Sequence, residues 1–109
     1  MKLNVRDRVI LLSVLPREGD ILSLKILRKL REDLSFSEDE QRLFEFKQDL
    51  ERGQVSWDPK CTDAEKEVMI GVRGLEIVKE ALEELNKQKK LHVDMLELYE
   101  KFVEKAESL

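Results

Sequence analysis

The chain has 109 residues, 41% hydrophobic and 40% charged, with a formal net charge of −4. That is enough chain for one hydrophobic core, and the apolar share is ordinary for a folded domain, so a mainly disordered chain is excluded. No apolar run approaches the ~18 residues of a membrane span. Cys61 is the sole cysteine and excludes an internal disulfide framework.

The charge is uneven. Residues 1–54 carry equal numbers of acids and bases, so the whole excess lies in residues 55–109. Charges interrupt the first eight residues, which therefore do not read as a secretory leader. The expectation is a single domain over residues 1–109, in the cytoplasm and without a membrane anchor.

The first element reads as a helix that Asn4 caps, with Asp7 placed to reach back to the capping residue. Val5, Val9 and Leu12 form its stripe, with Ile10, Leu11, Val14 and Leu15 alongside, and Pro16 ends it. Asp20 caps a second helix over residues 21–34. Leu24, Leu27, Leu30 and Leu34 are its apolar face, and Leu22 and Ile26 widen it. Lys25, Arg28, Lys29 and Arg31 make this the most basic helix. Ser37 and Glu40 match a capping box and start a third, short helix ending near Leu43 or Phe44.

The period then changes. Residues 44–48 and 55–57 alternate apolar and polar around a loop that contains Gly53, which predicts a β-hairpin. Residues 67–72 predict a third strand with Val68, Ile70 and Val72 on one face. A fourth helix is expected over 74–87, with Leu75, Val78, Leu82 and Leu85 inward. A fifth is expected over 93–107, with Met95, Leu98, Tyr99, Phe102 and Ala106 inward. Glu83 with Lys87, and Glu97 with Lys101, have favourable helical spacing. The predicted fold is α+β: about five helices with a small antiparallel sheet of two or three strands between helices three and four.

Sites of catalysis are scarce. Cys61 and His92 are too few for a zinc centre. A cysteine nucleophile would need His92 as its base, thirty-one residues on. The four dispersed glycines form no phosphate-cradling loop. No cofactor is implied. Three helices followed by a hairpin is also the order of a winged-helix DNA-binding regulator. Its recognition helix would begin Ser37-Glu-Asp-Glu40, acids facing phosphates. A small hydrolase built on a carboxylate pair is a further alternative, since only spatial separation decides it. Trp57, the sole tryptophan, is either core or an exposed anchor for a partner.

Stretches along the whole chain resemble a group of small uncharacterised proteins carried by bacteriophages. The elements are Val9-Ile-Leu-Leu-Ser-Val-Leu-Pro-Arg-Glu-Gly19, Leu24-Lys-Ile-Leu-Arg-Lys-Leu-Arg31, Leu34-Ser-Phe-Ser-Glu38, Phe46-Lys47-Gln48, Val55-Ser-Trp57, Ile70-Gly71 and Leu98-Tyr-Glu-Lys-Phe-Val103. The resemblance implies a phage or prophage context and a host-cell cytoplasmic location, but no activity. The functional expectation is a non-enzymatic accessory protein that binds a host factor or a phage replication or assembly component. Lys25, Arg28, Lys29 and Trp57 are the candidate partner-binding residues. Nucleic acid is the less favoured partner, and a homodimer through the last helix or a sheet edge is a further expectation.

Overall fold

The computed structural model describes residues 1–49, 51–52 and 54–104. The fold is α+β. In chain order it contains β1 (Lys2–Asn4), α1 (Val5–Val14), α2 (Ile21–Leu34), α3 (Glu38–Leu43), β2 (Lys47–Asp49), β3 (Gln54–Ser56), β4 (Glu65–Glu67), α4 (Val72–Lys87) and α5 (Leu96–Tyr99). Short 3-10 turns at Pro59–Cys61 and Val93–Met95 precede β4 and α5, and a π-helical turn, Glu100–Glu104, follows α5.

The helix starts obey their caps. Asn4 Oδ1 accepts from the Asp7 N–H at 2.8 Å, and the Asp7 carboxylate accepts from the Asn4 N–H at 3.2 Å. Ser37 and Glu40 make the same reciprocal pair at the start of α3. Asp20 accepts from the Ser23 N–H at 2.8 Å, a bond that holds its carboxyl below the usual carboxylate range.

The sheet differs from expectation. Two separate antiparallel pairs form instead of one sheet. β2 pairs with β3 as the predicted hairpin between α3 and α4, while β4 pairs with β1 at the other end of the sequence. The third strand lies over residues 65–67 and not 67–72. Val68 is buried, but Met69 is 86% exposed and Val72 opens α4 at 74% exposure. Lys2 sits opposite Glu67, and the Val68 N–H donates to the Met1 carbonyl at 2.8 Å, which extends the ladder by one residue.

The core joins α1, α2, α4 and the last helical segment. Leu11, Leu15, Leu27, Leu30, Leu34, Val78, Leu82, Leu98, Phe102 and Val103 meet there, closed at one side by Leu3 and Val68. Leu24, expected inside, is 38% exposed, and Leu22 is 53% exposed. On α1 the buried face is turned from the expected stripe: Val9 and Leu12 are half-buried, while Asp7, Arg8 and Leu11 are buried. The expected final helix is broken into a 3-10 turn, one α-turn and a π-helical turn, in which the neighbours Phe102 and Val103 are both buried. Ala106 lies outside the described residues.

Arg8 is the side chain that ties these pieces together, at 1% exposure. Its Nε donates to the Leu34 carbonyl at 3.1 Å and its Nη2 to the Ser35 carbonyl at 2.7 Å. Both terminal nitrogens donate to the Glu40 carboxylate, at 2.7 and 3.3 Å. The guanidinium carbon stands 3.9 Å from the centroid of the Phe36 ring. Arg31 returns the service from α2, donating to the Leu12, Leu15 and Pro16 carbonyls at the end of α1. Each helix thus supplies a cation to the other's negative end.

Lys101 is likewise drawn inward. It donates to the Asp7 carboxylate and the Lys2 carbonyl, both at 3.2 Å, which places it on the first turn of α1 rather than on the expected Glu97. Lys79, and not the expected Lys87, approaches Glu83, at 3.9 Å.

Two helices end on a left-handed residue that is not glycine. At Glu45 φ is 55°, and at Lys89 it is 57°. After α3, the Phe46 N–H donates to the Gln41 carbonyl and the Glu45 N–H to the Arg42 carbonyl. After α4, Lys90 donates to Leu85 and Lys89 to Asn86. Both are complete Schellman motifs. A side chain costs energy in this backbone region and glycine does not. Glu45→Gly and Lys89→Gly are each expected to raise unfolding free energy by about 0.5–1 kcal/mol. Glu80→Gly, at an exposed position in the middle of α4, is expected to lower it by about 1 kcal/mol. Urea denaturation of the three variants checks this.

The Arg8–Glu40 pair sets a pH dependence. The hydrogen bond from Arg8 holds the Glu40 carboxyl down from its ordinary 4.5 to about 2. The folded protein therefore binds this proton more weakly than the unfolded chain does. The resulting stabilisation is complete above about pH 4.5 and is lost as pH falls toward 2. Glu40→Gln can keep the oxygen that accepts from the Ser37 N–H, but it removes the charge and puts an amide donor where Oε2 accepts from Arg8 Nη1. It is expected to cost about 2–3 kcal/mol at pH 7. That gap from wild type should narrow as pH falls from 4.5 toward 2, as read by denaturant melts across the range.

Candidate functional site

The side of α2 that faces away from α1 forms one wall of an open groove of about 440 Å³. Lys25, Ile26, Lys29, Leu30 and Asp33 line that wall, and the segment Met69 to Gly74 lines the other. The second wall is the approach to α4 and its first turn. An added Cβ at Gly74 would stand 2.9 Å from Ile70 Cγ2, so glycine there lets the Ile70 side chain lie directly against the helix start.

The groove is apolar inside and basic at its rim. Ile26, Leu30, Ile70, Met69 and Val72 supply the hydrocarbon, and Lys25, Lys29 and Arg73 the cations. Asp33 is the one carboxylate among the lining residues, and Asp20 is within electrostatic reach of Arg73. Gly71 caps α4 without a side-chain hydrogen bond, and the first turn of α4 contains no acid. Ile21 and Leu22 lie one turn before Lys25 and Ile26 on the same face of α2, 71% and 53% exposed. The apolar and basic strip thus runs from Ile21 to Asp33, roughly 18 Å along the helix.

The four candidate residues do not form one site. Lys25 and Lys29 share the groove. Arg28 lies on the opposite flank of α2, in a hollow with Pro16, Arg17, Leu24 and Glu32. Trp57 belongs to a third region. Its ring centroid is 6.0 Å from that of Phe46, which stands 4.4 Å from Phe36 and 6.3 Å from Phe44. Its Nε1 donates to Thr62 Oγ1 at 2.9 Å. It is neither helix core nor free anchor but half-buried filling between the hairpin and α3. Arg31, part of the basic set in the sequence, is occupied in capping α1.

The remaining reactive groups are dispersed. Cys61 is half-buried, its Sγ 4.0 Å from the Leu43 carbonyl, and His92 is exposed at the start of a 3-10 turn. Among the described residues no group of three or more His, Cys, Asp or Glu is placed to hold a metal ion. The two withdrawn carboxylates, Asp7 and Glu40, are each bonded to a helix cap and to a cation. No helix among the described residues is long and apolar enough to cross a membrane.

No family model matches the chain, and no curated protein and no solved structure matches it. The groove residues Met69, Val72 and Arg73 were not candidates from sequence. The signal that could find Met69 and Val72 is the mostly apolar run Val68 to Val72, which continues past the strand that precedes it; Arg73 follows that run and carries no such signal.

The lysines at the rim are exposed, and no hydrogen bond or ion pair of theirs shapes the helix contacts above. Lys25→Glu and Lys29→Glu, singly or together, are expected to leave stability within about 0.5 kcal/mol of wild type by thermal or urea unfolding.

Proposed function

We propose that this protein acts without catalysis, as a phage-type accessory protein that binds another protein, a host factor or a component of phage replication or assembly. The observation that carries the reading is the exposed hydrocarbon beside the groove. Met69 and Val72, 86% and 74% exposed, line the groove, and Ile21 and Leu22, 71% and 53% exposed, lie one helical turn before its α2 wall. Large apolar side chains gathered in this way are typical of interaction surfaces, whereas single exposed ones are ordinary. The phage context rests on the sequence resemblance, and a cytoplasmic location follows from that context.

Two features favour protein over duplex DNA as the partner. α3, which would be the recognition helix of a winged-helix reader, presents exposed Glu38 and Asp39 at its start. These would meet phosphates without a counterion to release. The basic set on α2 is also divided between two flanks, with Arg31 withdrawn to cap α1.

Affinity capture from host lysate with the intact chain tests the reading. A stoichiometric protein partner, retained at moderate salt and after nuclease treatment, is the expected result. Repeated absence of any such partner, or loss of all bound material on nuclease treatment, overturns it.

A further inference from the structure

Charge complementarity identifies what the groove between α2 and the start of α4 would take. We infer that it is a docking site for an acidic amphipathic helix of the partner protein, an inference that rests on the protein-binding reading above. An occupant needs hydrocarbon for Ile26, Leu30, Met69, Ile70 and Val72, and carboxylates for Lys25, Lys29 and Arg73. A helix with aliphatic residues at i, i+3, i+4 and i+7 and acids on either side of that stripe provides both. The strip of roughly 18 Å from Ile21 to Asp33 matches about three helical turns. At about 440 Å³ the groove is too small to enclose a helix 10–12 Å wide, so the helix lies along it with its apolar stripe inserted.

The surroundings sharpen the sign. The chain carries a net charge of −4, yet this surface gathers three cations against one carboxylate in its lining. Acids flanking the partner's stripe would meet cations here and repulsion over the acid-rich C-terminal half, so charge selects the groove from other apolar ground. The uncapped first turn of α4 points the positive end of a sixteen-residue helix the same way. Met69, unbranched and 86% exposed, can adapt to varied aliphatic partners. Nucleic acid fits less well, because the lining contains no aromatic ring on which a base could stack.

The test uses the full chain, isotope-labelled for amide NMR, and two synthetic 18-residue peptides with one leucine stripe. One carries glutamate beside the stripe and the other lysine. The glutamate peptide is expected to shift amides of residues 21–33 and 69–74 and to bind at least tenfold more tightly than the lysine peptide at 0.1 M salt. The Lys25→Glu/Lys29→Glu variant should reverse that preference. Met69→Ser should weaken both peptides without changing their order. Equal binding of the two, preference for the lysine peptide, shifts confined to other residues, or no binding up to 1 mM each overturns the inference. So does duplex DNA that shifts the same amides with steep salt dependence. Groove shifts that depend only on the protein's own concentration overturn it in favour of a second copy. The two readings fail separately. A captured partner indifferent to Lys25→Glu/Lys29→Glu removes the groove and leaves the protein-binding function. Glutamate-peptide selectivity with no captured partner does the reverse.

Discussion

A buried guanidinium holds the three N-terminal helices in register. Transferring a charge from water into a protein interior costs several kcal/mol unless partners replace the lost hydration. Arg8 replaces it with two backbone carbonyls, a carboxylate bonded through both terminal nitrogens and an aromatic face. The flat fork of arginine is needed for this, since a lysine would meet only some of these partners from one point. Those partners belong to the end of α2, the turn after it and the first turn of α3. The positions of all three are therefore fixed relative to one another by one side chain of α1. The aromatic group of Phe36, Phe44, Phe46 and Trp57 then builds outward from Phe36 and carries the hairpin.

Local chemistry is legible in this sequence, and chemistry between distant segments is not. Asn4 with Asp7, Asp20, and Ser37 with Glu40 announce three helix starts because a cap depends only on residues three apart. Leu27, Leu30 and Leu34 announce a buried face because helical spacing does the same. β4 escapes notice because Glu65-Lys66-Glu67 has no apolar alternation. Its place is fixed by main-chain pairing with Lys2–Asn4, a partner too short and too remote to be inferred. The ends of α3 and α4 lack the glycine that normally marks a left-handed cap. Arg8, Arg31 and Lys101 look like surface charges in a chain that is 40% charged, and only the fold shows which cations cover carbonyls and carboxylates inside.

The candidate site is legible to a similar degree. Lys25 and Lys29 are four residues apart on a helix and had to share a face. Arg28 is three residues from Lys25 and by spacing alone could share that face; only the fold shows that it turns to the other flank, toward Pro16 and Arg17. The second wall of the groove comes from a segment some forty residues away, so nothing local pairs it with α2. The separation of Trp57 from the lysines follows from the hairpin, which carries the indole toward α3 and away from α4.

The contact of Lys101 with Asp7 has a kinetic consequence. The two residues are 94 positions apart, whereas Arg8 and Leu34 are 26 apart. Closing the longer loop from an unfolded chain costs about 1 kcal/mol more in chain entropy, by the logarithmic dependence on loop length. The rise is small because the cost grows slowly, but it must be met before the contact returns anything. The α1–α2 unit can form from nearby residues, whereas the β1–β4 ladder must bring residues 2–4 to residues 65–67, and the lysine must cross most of the chain to reach Asp7. The contact joining the first strand and α1 to the turn after α5 carries the largest loop-closure entropy of the side-chain contacts described above.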